Sequence, residues 1–172
     1  MKTNMILTCM ISLFLLSACS NSSNKPNVEA EQLKVDNHSN YLTMKINGKE
    51  WSADHDVFGA FHPKGYDKAI IISGSSGKKD KTEKAFNINI FQTDGPGQYS
   101  FAQGNAALSV AQMGNRTEQD YICGSMMGFD MKVKVVKATT GPDILEATFS
   151  GTLTCPSGPA LVITDGKFYY HE

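Results

Sequence analysis

Strict alternation of apolar and polar side chains near the C-terminus constrains the fold of this chain more than any other feature. From 145 to 155 the sequence reads LEATFSGTLTC, and every second residue from Leu145 to Cys155 is apolar or small. Because successive side chains of a strand point to opposite faces, this pattern predicts a strand with one buried and one wet face. The segment from Phe129 to Val135 alternates in the same way, and a TTGPD turn separates the two. The pair therefore predicts an antiparallel hairpin.

Further strands are expected at hairpin spacing along the rest of the chain. They are the segments 42–46, 69–74, 85–93, 98–101, 108–113 and 160–170, the last as a hairpin or a bulged closing strand. Asn47-Gly48 favours a type I′ turn, which needs positive φ at both positions, and this turn directs Trp51 towards the core. The best helix candidate is 103–113, and the GSMMG stretch at 124–128 reads as a kinked strand or bulge. We therefore predict an all-β fold, an antiparallel β-sandwich or small β-barrel of about eight to ten strands.

The first 18 residues have the features of a secretory signal sequence. Lys2 precedes an apolar run that ends at Leu16 and is shorter than the ~20 residues needed to span a membrane. The sequence Leu16-Ser17-Ala18-Cys19 resembles the lipobox of bacterial lipoproteins, in which a peptidase cuts before the cysteine. The resemblance implies that residues 1–18 are removed and that Cys19 carries the lipid anchor. An ordinary signal peptide with a chance cysteine is the alternative.

Beyond the anchor, the composition separates a tether from a single domain. Residues 19–40 are polar with scattered apolar positions and predict a flexible tether. Residues 41–172, about 130 in all, are a suitable length for one β-rich domain. Without residues 1–18 the chain keeps 15 basic and 17 acidic residues, which does not favour a nucleic-acid partner. In enteric-type bacteria, an aspartate directly after the anchor cysteine resembles an inner-membrane retention signal. Ser20 occupies that position here, which favours the outer membrane, with the domain facing the periplasm.

Two groups of residues are candidates for sites. Cys123 and Cys155 are an even pair in a chain expected to be exported, which predicts a disulfide. His55, Asp56 and His62 are the candidates for a metal site, although a solvated polar loop is the favoured interpretation and no cofactor is expected. The sequence contains no GxSxG or SxxK motif, and we expect no catalytic residues.

The sequence also resembles one family of proteins as a whole. LTMKINGKEWSA at 42–53 and LEATFSGTLTC followed by ALVITDGKFYY look like a family of uncharacterised small bacterial lipoproteins, with NGKxW and ITDGKF motifs. The resemblance implies a β-sandwich-like lipoprotein domain and transfers no active residues.

The expected function is that of a membrane-anchored protein with a non-enzymatic binding or envelope-associated role. Its partner would be an envelope protein or a small ligand. One alternative is an immunity or inhibitor lipoprotein that neutralises a periplasmic toxin or lytic enzyme and presents a complementary patch. The other is a metal-dependent hydrolase, which requires His55, Asp56 or Glu118 to converge in a deep pocket.

Overall fold

A computed structural model describes residues 39–63, 68–104, 109–115 and 121–172. Cys19, the signal sequence and Glu118 lie outside these ranges, as does the tether up to residue 38. The described strands are β1 (Tyr41–Ile46), β2 (Lys49–Ser52), β3 (His55–His62), β4 (Ala69–Ser76), β5 (Lys84–Phe91), β6 (Gly97–Ala102), β7 (Val110–Asn115), β8 (Tyr121–Gly124), β9 (Phe129–Thr139), β10 (Ile144–Leu153) and β11 (Leu161–His171). A 3₁₀ turn at Ser125–Met127 is the one helical element among the described residues, and none of these residues forms a helix able to cross a membrane.

The strands form two antiparallel sheets. One has six strands in the order β2-β1-β11-β10-β9-β6, and the other has five in the order β3-β4-β5-β7-β8. The prediction of an all-β, sandwich-like antiparallel fold is confirmed. The described residues contain one strand more than the expected upper count. The strands β2 and β8 have four residues each and are too short to show a clear period. The strand β3 forms where a solvated polar loop was favoured for His55, Asp56 and His62, and that interpretation was wrong.

Two overlapping expectations covered the segment 103–113. The strand expected at 108–113 is confirmed from Val110 onwards as β7, which pairs with β5 from Lys84↔Asn115 to Asn89↔Val110 and so obtains its backbone hydrogen bonds from the sheet. The helix candidate was wrong over these residues, and the expectation for 124–128 was wrong as well. The stretch 124–128 forms the 3₁₀ turn rather than a kinked strand or bulge. Gly124 and Gly128 bracket that turn with φ of 81° and 129°, a region that favours glycine.

The core lies between the inner faces of the two sheets. Apolar residues predicted to face inwards are buried on β5, β9 and β10, including Phe86, Ile88, Met131, Leu145 and Phe149. The ring centroids of Phe86 and Phe149 are 5.4 Å apart and join the five-stranded sheet to the six-stranded sheet. Trp51 packs against this core beside Phe86, as expected from its place after the turn.

Turns and bulges give the six-stranded sheet its register. Asn47 and Gly48 have φ of 49° and 78°, as a type I′ turn requires. The segment 160–170 was expected to form either a hairpin or a bulged closing strand. It forms one bulged strand, β11, in which Asp165 has φ 54°. Gly166 follows the bulge so close to Phe149 that an added Cβ would lie 2.4 Å from the ring.

Two contacts outside the sheet hydrogen bonds link distant parts of the domain. Cys123 of β8 and Cys155, just after β10, are joined as a disulfide with 4.2 Å between their Cα atoms. The pair connects the edge of the five-stranded sheet to the six-stranded sheet. Asn40, assigned to the end of the tether, accepts a hydrogen bond at 2.8 Å from the backbone N–H of His171. The chain is therefore attached to the domain one residue before the expected start.

Candidate functional site

Three metal-ligating side chains converge at the start of β3. One ligand atom from each of His55, Asp56 and Glu83 lies within 4.8 Å of the other two. His55 Nε2 is 3.1 Å from Glu83 Oε1 and 3.8 Å from Asp56 Oδ2. We call these three residues the His55 cluster. Sequence reasoning named two of its members and missed the third.

A bulge in β3 explains why neighbouring residues share one side of the strand. Consecutive side chains of a regular strand point to opposite faces, so His55 and Asp56 would diverge. Here the pairing of β3 with β4 shifts between His55 and Phe58, and Asp56 adopts φ 53°. The extra residue redirects the Asp56 side chain, as bulges commonly do.

Glu83 reaches the cluster from the loop between β4 and β5. The Asp80 carboxylate accepts hydrogen bonds from the N–H and hydroxyl of Thr82, at 2.8 and 2.7 Å, which folds the loop into a tight turn. The N–H of Glu83 donates to the Asp80 carbonyl at 3.1 Å. These bonds place Glu83, only 8% exposed, directly before β5. An acidic residue before a strand in a lysine-rich loop gives no signal in the sequence.

Asp54 and Lys79 hold the cluster from outside. Asp54 accepts hydrogen bonds from His55 Nδ1 through one carboxylate oxygen and from the N–H of Gly77, at 3.1 Å, through the other. Lys79 Nζ donates to Asp56 Oδ1 at 2.9 Å and leaves Oδ2 facing the imidazole. The strand and the loop are thus fastened to each other around His55.

The hydrogen bonds and charges around His55 raise the pKa of its imidazole and lower the pKa of two neighbouring carboxyl groups. The hydrogen bond with Asp54 raises the pKa of His55, with a smaller contribution from Glu83. The Gly77 N–H lowers the pKa of Asp54, and the Lys79 ammonium lowers that of Asp56. These shifts favour the ionised carboxylates of Asp54 and Asp56 and the protonated imidazole of His55.

The remaining metal candidate is not part of the cluster. His62 ends β3, opposite Ala69, and is exposed. It lies seven residues from His55, roughly 23 Å along a strand. The two histidines therefore cannot share an ion.

A second candidate surface covers the outer face of the six-stranded sheet. It is a depression of about 550 Å³, within the usual size range of ligand pockets. Its lining residues are Gln98, Tyr99, Ser100, Lys132, Val133, Lys134, Thr148, Phe149, Ser150, Asp165, Gly166 and Lys167. Neither His55 nor Asp56 is among them, so the depression and the cluster are separate sites.

Three lysines give the depression its charge, and we call it the lysine face. Lys134 and Lys167 both pair with Thr148, one from each neighbouring strand, which places their backbones about 10 Å apart. Lys132 lies two residues before Lys134 on β9. None of the three forms a salt bridge with a described residue, and the one acid in the lining, Asp165, is bound to Lys45 at 2.9 Å. The sequence showed these lysines only as the wet side of separate strands.

Comparison with protein-family models, with curated proteins and with solved structures finds no match to this chain.

Proposed function

We propose that this chain is a lipid-anchored protein of a bacterial cell envelope that binds an anionic ligand, without catalysis, on the lysine face. Cys19 is the proposed anchor, and the outer membrane facing the periplasm is the proposed location. The observation that carries the binding role is the set of three lysines, Lys132, Lys134 and Lys167, around uncharged hydroxyl groups in one depression.

The arrangement suits a ligand with two or more carboxylate or phosphate groups. Ammonium groups act as point charges and attract such groups without a fixed geometry. Thr148 lies between Lys134 and Lys167, and Ser150 pairs with Lys132, so both hydroxyl groups can donate hydrogen bonds to an anion held by the lysines. A small clustered patch attracts anions locally even though the whole chain has a formal charge of only −1.

A titration with two anions tests the lysine face. The full chain in detergent, at 150 mM salt, is titrated with pyrophosphate and with citrate while amide chemical shifts are followed. We expect saturable shifts at Thr148 and Ser150 with at least one anion, and the two arms distinguish phosphate from carboxylate ligands. A triple Lys132→Gln, Lys134→Gln, Lys167→Gln variant should lose them.

A matched triple variant controls for the loss of charge. Lys49, Lys78 and Lys84 are exposed and do not line the depression, so their replacement by glutamine should leave the titration unchanged. Equal losses in both triple variants, or shifts that do not saturate, would refute an anion site on this face.

The anchor is tested separately. Cys19→Ser should abolish labelling by a clickable fatty acid, because only a thiol can form the thioether. The protein should then be released or remain as an uncleaved precursor. Undiminished labelling of the Cys19→Ser protein would contradict lipidation at this residue.

An inhibitor role is a second candidate, supported by an exposed apolar patch. Ile122, Met126 and Met127 lie within four residues of Cys123 in the sequence and are 42%, 82% and 47% exposed. The turn that carries the methionines is held by a hydrogen bond from Gln103 Nε2 to the Met126 carbonyl at 2.7 Å. Adaptable methionines on a fixed turn are typical of protein-binding surfaces.

Photo-crosslinking tests this second candidate. A benzophenone amino acid at position 126 should give a discrete protein adduct in growing cells, because the side chain there is the most exposed of the patch. The same probe at Val136, exposed on the other sheet, is the matched control and should give none. Identical adduct patterns, or no adduct at position 126, would count against a protein partner there.

A further inference from the structure

We propose that the His55 cluster binds one divalent transition-metal cation of the zinc class, through His55 Nε2, Asp56 Oδ2 and Glu83 Oε1. The ion would fasten the loop between β4 and β5 to the start of β3. This proposal is independent of the lysine face, which shares none of these residues.

The spacing of the three ligand atoms is close to that of a tetrahedral site. Two atoms bound 2.0–2.1 Å from one zinc ion at the tetrahedral angle are about 3.3 Å apart. The distances from His55 Nε2, 3.1 Å to Glu83 and 3.8 Å to Asp56, lie on either side of that value. The Asp56 side chain is 57% exposed and can rotate to close the longer distance. Three protein ligands leave the fourth position for water.

The residues behind the cluster orient it as second-sphere groups orient metal ligands. The hydrogen bond between Asp54 and His55 Nδ1 leaves Nε2 as the atom directed at Glu83 and Asp56. Metal-bound histidines generally donate the N–H of the other ring nitrogen to a carboxylate, a backbone carbonyl or water, and Asp54 is such a carboxylate. Lys79 holds one oxygen of Asp56 and leaves the second for an ion.

The chemistry of the ligands decides the class of ion. Three carboxylates, those of Asp54, Asp56 and Glu83, surround His55, and Lys79 forms a salt bridge with Asp56. An imidazole ligand suits zinc and similar ions, whereas magnesium and calcium prefer oxygen ligands alone.

Zinc titration of matched variants tests the site. The full chain, purified in detergent without a histidine tag, is titrated with zinc chloride by calorimetry, and its thermal midpoint is followed by Trp51 fluorescence. We expect one saturable zinc site per chain and a rise in the midpoint, since an ion bound by the folded state stabilises it. Magnesium chloride should produce neither effect.

The variants separate a built site from a chance one. Asp54→Asn should weaken zinc binding by roughly 10- to 100-fold, the usual effect of removing a second-sphere group. His55→Gln, Asp56→Asn and Glu83→Gln should each weaken it further. His62→Gln, a histidine on the same strand outside the cluster, should bind zinc as the unmodified chain does. If the Glu83→Gln variant does not fold, the Asp56→Asn variant alone tests the site, because Asp56 is exposed and its replacement does not disturb the core. No saturable zinc binding, or binding that survives Asp56→Asn, would overturn the proposal.

Discussion

Phe86 of β5 and Phe149 of β10 stack with their ring planes 19° apart, and this contact joins the two sheets at the centre of the core. Both side chains are buried. Each belongs to a period-two segment, so each was expected to face inwards. Their contact depends on how one sheet lies over the other.

Phe149→Ala should lower the free energy of unfolding by about 3–5 kcal/mol, because it removes a buried ring and leaves a cavity. Chemical denaturation monitored by Trp51 fluorescence measures the loss. Val136→Ala, on the exposed side of β9, should change stability by less than about 0.5 kcal/mol. Equal effects of the two substitutions would mean that Phe149 is not a core residue.

Gly166→Ala should destabilise the domain by about 1–3 kcal/mol, the usual cost of overpacking. The new methyl group would meet the Phe149 ring and the Phe149 carbonyl at 2.4–2.5 Å, and neither can move without disturbing the sheet. Gly114→Ala on β7 is the matched control, since its nearest neighbour would be 3.8 Å away. Thermal melts of the two variants give the comparison, and a neutral Gly166→Ala would contradict the close approach.

Replacement of Cys123 and Cys155 by alanine should lower stability by about 2–5 kcal/mol, the usual loss for a native bridge in a small secreted domain. Cys123 is 1% exposed, so the bridge should resist mild reductant until the chain unfolds. Thiol counting by mass spectrometry on denatured, unreduced protein checks the bond itself. Two free thiols at positions 123 and 155 would show that the cysteines are only packed together.

The Lys45–Asp165 ion pair should make stability fall at acid pH. The hydrogen bond from Lys45 lowers the pKa of Asp165 below its ordinary value of about 3.9. A lowered folded-state pKa stabilises the fold above the ordinary value, and this contribution is lost as the pH falls through the folded-state pKa. Lys45→Gln should therefore raise the pKa of Asp165 measured by carboxyl ¹³C NMR. Lys84→Gln on the other sheet should not, and an unchanged Asp165 pKa in Lys45→Gln would exclude the pair.

Strand positions and inward faces were predictable from the sequence because the period-two pattern is local. The alternation of Phe129–Val135 and Leu145–Leu153, and the Asn47-Gly48 turn, are each specified by adjacent residues. The segment 103–113 shows the limit of this reasoning, because it was a helix candidate and also contained the strand expected at 108–113. There the pairing with β5 decided the conformation, since the short segment carried no strong period of its own.

Both candidate sites depend on contacts that adjacent residues do not specify. Glu83 meets His55 because β4 and β5 form a hairpin whose loop folds back to the start of β3, 28 residues earlier. Asp56 joins them through a bulge, which arises from strand pairing. Lys134 and Lys167 flank Thr148 because β11 and β9 lie on either side of β10. By itself the sequence determined the strands that carry a clear two-residue period and the side chains that those strands bury, whereas only the tertiary structure decided which polar side chains meet, because strand order and loop closure place residues distant in the chain together.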